Sequence, residues 1–342
     1  MNNLYPNNNL TDEEVIKPKN KKRGWEAIEI PSRLVNVNYP FDFKTYTKKS
    51  VGIIFLFTGL IIPLTIGLIL KYVFSPESDF NSSLTLINWL FYVISNGIGF
   101  FIIWDKRRSK IFKTTLSLFY LYILMPIIVS IIAAVFAMVP NVNSNIQFSI
   151  QIILQSIFYG FMIFLTFNYI PDFKARFSIT LKQNWKMFLV VILVGFLAIL
   201  ILSIAYNQIL KAIGWNLGNS NNQESLISPL KDPNIGVRIF AAISLFVFTV
   251  IAAPLLEEIV FRDAVFVGTS NRWTGWIMSM FLFAYVHIYQ TGEFQSIFQY
   301  LIGGFVLATA FNVCRGNLVY TWGIHAAYNL FSFILIVIEA SQ

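Results

Sequence analysis

Two adjacent carboxylates, Glu257 and Glu258, stand inside the apolar run that leads from Pro254 to Arg262. A charge at such a place in a membrane segment costs about 2.5–3.5 kcal/mol. On a helix Glu258 and Arg262 are four residues apart and share a face, so they can pair. Glu257 points about 100° away and has no partner within that turn. Downstream lie the only two histidines of the chain, His287 and His325. His287 follows Phe283 by four residues and His325 precedes Asn329 by four, so each pair faces one way. These residue types suit peptide hydrolysis, which needs a base for water, donors for the oxyanion and a proton for the leaving amine. Glu257 suits the base, and His287 can share the water or carry the proton. His325 and Asn329 can donate to the tetrahedral oxyanion.

A structural explanation competes for each residue alone: Glu258–Arg262 as a buried ion pair, the histidines as satisfied core groups. Four costly groups at one depth argue for a common purpose instead. The residues leave a metal open. Glu257, His287 and His325, with Asn329 nearby, make a chemically reasonable zinc set, yet the histidines lie on different spans, without the H-E-x-x-H pairing of zincins.

The series E-E-x-x-x-R, F-x-x-x-H and H-x-x-x-N, in order over residues 236–338, resembles the CPBP intramembrane endopeptidases. This superfamily includes the type II CAAX prenyl endopeptidases and bacteriocin-processing or immunity (ABI) proteins. The resemblance implies Glu257 and His287 on the water, and His325 and Asn329 on the oxyanion. Glu258 and Arg262 become the supporting pair, and Phe283 packs against the site. It also implies a metallo- or glutamate-type protease acting on a membrane-associated peptide or protein, as in bacteriocin or pheromone processing or self-immunity.

The elements that must position these residues are membrane spans. Of 342 residues 56% are hydrophobic and 12% charged, with mean hydropathy +0.64. This excludes an ordinary soluble domain. The expected class is an all-α polytopic membrane protein of about 8–9 transmembrane helices, with the active site between the C-terminal ones. Apolar runs fall at 51–73, 84–104, 115–138, 148–170, 187–207, 236–256, 274–290, 295–313 and 317–338. Trp104, Trp185, Trp273 and Trp322 flank such runs, as interfacial aromatics do. The single Cys314 excludes an internal disulfide and a cysteine metal cluster. The net charge of +8 fits loops facing anionic lipid rather than nucleic acid.

Three regions follow: a polar and basic tail at 1–50, N-terminal helices at 51–235, and a catalytic core at 236–338. The tail has no apolar leader segment; Thr11–Glu14 can open a short helix and Lys17–Arg23 is a basic run. Basic connections near Lys106 and Lys174–Lys186, against loops at 75–83 and 140–147 without Lys or Arg, set the N-terminus in the cytoplasm of a bacterial cell. The Asn-, Ser- and Gly-rich stretch 207–234 is expected to be an external, disordered loop. Asp263 is expected at the interface.

Turns at Thr269–Arg272 and Arg315–Asn317 put Glu257, His287 and His325 at similar heights, about 13–20 Å above the turns. A helix from Gly236 to Gly268 would be about 50 Å long. Pro254 either kinks it or starts a new helix at Leu255. Gly303, Gly304 and Ala308 would let backbones approach around the site. Two rivals remain, a non-catalytic membrane scaffold with the same fold and a proton-relaying transporter. Intact motifs count against the first, and the lack of inverted repeats against the second.

Overall fold

The computed structural model describes residues 24–31, 49–107, 111–137, 142–170, 173–215 and 221–342. Thr11–Glu14 and Lys17–Arg23 lie outside these residues. Every regular element described is helical. In chain order these are α1 (Trp25–Ile28), α2 (Ser50–Phe74), α3 (Ser82–Arg107), α4 (Leu116–Ala137), α5 (Ser144–Tyr169) and α6 (Phe173–Gln183). They are followed by α7 (Trp185–Ala212), α8 (Asn221–Ile227), α9 (Ile235–Thr269), α10 (Arg272–Ile288), α11 (Ile297–Val313) and α12 (Leu318–Ser341).

Among the described residues seven helical segments are long and apolar enough to cross a membrane: α2, α3, α5, α7, α9, Phe294–Val313 and α12. Leu116–Val129 of α4 is a shorter apolar stretch, and α10, expected as a span, has 17 residues. The protein is an all-α polytopic membrane protein, as its composition requires.

The bundle is built around α9. From Leu256 to Phe266 its residues are apolar on every side apart from four charges, and all are buried. A helix hydrophobic all round belongs inside a larger assembly, and α2, α4, α5, α10 and α12 pack against this one. On the periphery, α7 buries only Gly195 and Ile199. Its Leu193, Val194, Ile201 and Ile204 are each more than half exposed, a stripe tolerable only against lipid.

Proline 254 neither breaks α9 nor starts a second helix. Residues 247–252 just before it, and 258–264 just after, are wound as π-helix. Proline has no N–H to donate, and its ring crowds the carbonyl four residues back, here that of Val250. The wider i→i+5 turn lets the backbone pass without separating into two helices.

Three further expectations are corrected. The stretch 207–234 is not one irregular loop: α7 runs to Ala212, and α8 with the turn Ser228–Lys231 returns the chain to the bundle. Leu230 is buried beside Ile152, Ala241 and Leu245, apolar anchors that the polar composition concealed. Residues 24–31 are not free tail. Trp25 packs on Trp273 and Trp276 at 4.9 and 5.7 Å, and Glu29 forms ion pairs with Arg272 and Arg315. Of the two adjacent glycines on α11, only Gly304 allows a close approach. A Cβ there would stand 2.8 Å from the Met280 carbonyl oxygen, whereas at Gly303 the nearest atom is 3.6 Å away.

Candidate active site

Two turns return the chain to α9, and each is written in local sequence. Asn271 caps α10 by accepting from the amides of Trp273 and Thr274 at 2.9 and 3.1 Å, after Ser270 at φ 55°. Asn317 caps α12 through the Val319 amide at 3.2 Å, after Arg315 and Gly316 at φ 57° and 79°. The first turn sets Ser279 of α10 opposite Arg262, whose Nη1 donates to the Ser279 hydroxyl at 3.0 Å. The second brings His325 of α12 to the two glutamates.

The result is a row in which the His325 ring stands between the two carboxylates and Glu258 stands between His325 and Arg262. His325 Nε2 stands 3.8 Å from Glu257 Oε2, and its Nδ1 is 3.0 Å from Glu258 Oε1. Glu258 Oε2 is 3.2 Å from Arg262 Nε. The expected Glu258–Arg262 pair is present. Glu257, unpartnered on its own turn, faces a histidine from another helix. The two carboxylates are not equivalent: the Glu258 side chain is 0% exposed and engaged on both oxygens, while that of Glu257 retains 11% exposure. A buried pair of charges survives only when the geometry is good and further partners are supplied, and Arg262 has them in Ser279 and in the face of Phe283, 4.7 Å below its guanidinium carbon.

Phe283 is the hub of the site rather than filler. Its ring lies 4.8 Å from His287 and 5.6 Å from His325. His287 Nδ1 is 2.6 Å from the Phe283 carbonyl oxygen. A carbonyl only accepts, so Nδ1 carries hydrogen, and in the neutral ring Nε2 holds the lone pair. The ring is stacked on Tyr300 at 4.6 Å. His287 pairs with neither glutamate. Asn329, one turn beyond His325, donates from Nδ2 to the Thr249 carbonyl at 2.8 Å, inside the π-helical turn before Pro254. An amide nitrogen has two hydrogens, so one donor remains.

The zinc set Glu257, His287 and His325 is not assembled in this geometry. Among the described residues no three His, Cys, Asp or Glu side chains gather closely enough to hold an ion. His287 stands apart, and His325 Nδ1 is spent on Glu258. These residues do not fit a metal as arranged.

Asp263 is not interfacial. It is buried, accepting from Arg176 Nη1 at 2.8 Å and from the Thr115 hydroxyl at 2.7 Å. This tie joins α6 and the start of α4 to the residue next to Arg262. Sequence reading missed it because its partners lie 87 and 148 positions away, and Arg176 resembled one more loop cation.

Residues 239–331, which contain all six expected site residues, match the family described as type II CAAX prenyl endopeptidase Rce1-like. An uncharacterized protein of Mycoplasma capricolum is 32% identical over 336 residues, covering 94% of this chain and 98% of that one. The UPF0177 protein YxdF of Lactococcus lactis is 33% identical over 81 residues, 24% of this chain and 44% of that protein. No solved structure matches the chain.

Proposed function

Because the chain belongs to the type II CAAX prenyl endopeptidase Rce1-like family of intramembrane proteases, we propose that it hydrolyses a peptide bond in a membrane-associated peptide or protein, with Glu257 as the general base. The observation that carries this reading is the unequal access of the two glutamates. Glu258 is sealed between Arg262 and His325, whereas Glu257 is the carboxylate that can meet water and substrate.

In this mechanism Glu257 takes a proton from water and the hydroxide adds to the scissile carbonyl. His287, with its Nε2 lone pair, shares that water. Carrying hydrogen on both ring nitrogens, His325 donates from Nδ1 to Glu258, which fixes its ring, and from Nε2 to the developing oxyanion, and the second N–H of Asn329 is the other donor. Collapse of the intermediate breaks the C–N bond, and the leaving amine takes the proton that Glu257 received. No metal enters these steps. The site lies inside a lipid-facing bundle, which supports a substrate lying in or on the bilayer. Bacterial relatives support a bacterial plasma-membrane enzyme, the motif resemblance alone suggests leader, pheromone or bacteriocin-type peptides or self-immunity, and the loop charge bias supports a cytoplasmic N-terminus.

The test compares membrane peptides from cells carrying the wild type with those from cells carrying Glu257→Gln, which keeps volume and removes the base. A fragment present only with the wild type, at equal protein level, supports the reading. Identical peptide sets, with a phenotype that still needs the protein, would move the role to a membrane scaffold.

A further inference from the structure

Three polar side chains outside the matched residues lead to the same place. On α5, Gln155 Nε2 donates to the Tyr159 hydroxyl at 3.4 Å. Tyr159 donates in turn to the hydroxyl of Tyr122 on α4 at 3.3 Å. Tyr122 receives this hydrogen bond, and among the described residues no acceptor takes its own hydrogen. A phenol inside a protein normally spends its hydrogen on a partner. This relay therefore ends in an unused O–H.

The position of that O–H is given by what surrounds it. α5 packs against the Ala253–Glu257 turn of α9 and α4 against Glu258–Ala264. The Tyr122 ring lies edge-on to Phe261 at 5.3 Å, and Phe261 meets Phe283 at 6.0 Å. On the other side Tyr159 contacts Phe248 at 5.3 Å, the neighbour of Thr249, to which Asn329 is bound. Both phenols are within electrostatic reach of the Glu257 carboxylate. Tyr159 is 2% exposed, and Tyr122 as a whole residue is half-buried.

We propose that Tyr122 is a catalytic hydrogen-bond donor of this site, contributed by the N-terminal helices, whose hydroxyl binds the peptide carbonyl that becomes the oxyanion. Tyr159 and Gln155 are positioning residues: by filling the acceptor side of the Tyr122 oxygen they aim its hydrogen at the substrate. The assignment rests on the protease reading above and deepens it. It adds a donor from the N-terminal helices to the N–H that Asn329 keeps free of Thr249.

The experiment follows the rate at which the Glu257-dependent peptide fragment appears in membranes holding full-length protein. Tyr122→Phe removes the hydroxyl alone, and the loss of one oxyanion donor predicts a rate about 10²–10³-fold lower at unchanged protein level and melting temperature. Tyr159→Phe leaves the Tyr122 hydroxyl but not its aim, and is expected to fall between wild type and Tyr122→Phe. The double variant should be no slower than Tyr122→Phe, because a purely structural Tyr159 would add its own loss. Wild-type rate in Tyr122→Phe, with Glu257→Gln inactive, overturns the proposal and leaves the protease reading standing. If Glu257→Gln itself changes nothing, the protease reading fails and the role of Tyr122 fails with it. Should Tyr122→Phe not accumulate, Tyr159→Phe decides: a wild-type rate there rejects the relay.

Discussion

Arg262 and Asp263 are neighbours in the chain, yet they belong to two different buried ion pairs. Arg262 closes on Glu258 of its own helix, and the pair continues through His325 toward Glu257. Asp263 turns to Arg176 and Thr115 on α6 and at the start of α4. The first assembly ends in a carboxylate with residual exposure; the second is sealed at both ends, with Arg176 and Asp263 each 2% exposed. Burial of charge is therefore no mark of function by itself. The mark is a charge whose partners leave one group with access to something else.

The comparison is sharpest when one member of a pair is removed. Arg262→Met leaves Glu258 buried without its guanidinium, and breaking a buried pair costs about 3–5 kcal/mol. The expected result is a large drop in melting temperature and in monodisperse protein after detergent extraction, with no cleavage. Arg176→Met also strands a carboxylate but leaves it the Thr115 hydroxyl, so the loss should sit near the lower end of that range, read by the same melting curves.

Removing both partners separates the two roles. Apolar replacement of a whole buried pair is often neutral or stabilising. Arg176→Met with Asp263→Leu should regain most of the melting temperature and the cleavage activity together. Arg262→Met with Glu258→Leu should regain stability without activity, because His325 then loses the group that holds its Nδ1. Equal recovery of activity in both double variants would erase the distinction drawn here.

The smallest effect is expected at the membrane-end ion pair. Glu29 bridges Arg272 and Arg315, both partly exposed, and such pairs contribute about 0–1 kcal/mol. Glu29→Gln should shift the melting temperature only slightly, and less still at high salt. A drop as large as that of Arg176→Met would show that the docked segment around Trp25 is a required part of the core.

Much of the site was legible because its spacings are local. Glu258 and Arg262, Phe283 and His287, and His325 and Asn329 are each four apart, so a single helical turn sets their faces whatever the rest of the fold does. The turns were legible too, since Asn271 and Asn317 cap the following helices in ways that depend on a few neighbouring residues. Composition alone required lipid around the bundle, because no soluble core could cover 56% hydrophobic residues at this mean hydropathy. What failed to show was whatever joined distant segments. Asp263 looked interfacial because Arg176 lies 87 positions away, and the stretch 207–234 looked irregular because its few apolar anchors are hidden among polar residues.

The sequence by itself determined the membrane class, the helical faces of the three motifs and the turns that return them to α9, since each follows from composition or from residues within one or two turns. Only the tertiary structure decided that His325, rather than His287, stands against Glu257. It also decided that Glu258 is sealed while its neighbour is not, and that Tyr122 of α4 packs edge-on against Phe261 of α9. These depend on how far each helix is rotated and slid against α9, and the π-helical turns on both sides of Pro254 set part of that rotation. A local pattern cannot encode it, because the packing energy that selects one rotation over another is summed over the whole interface.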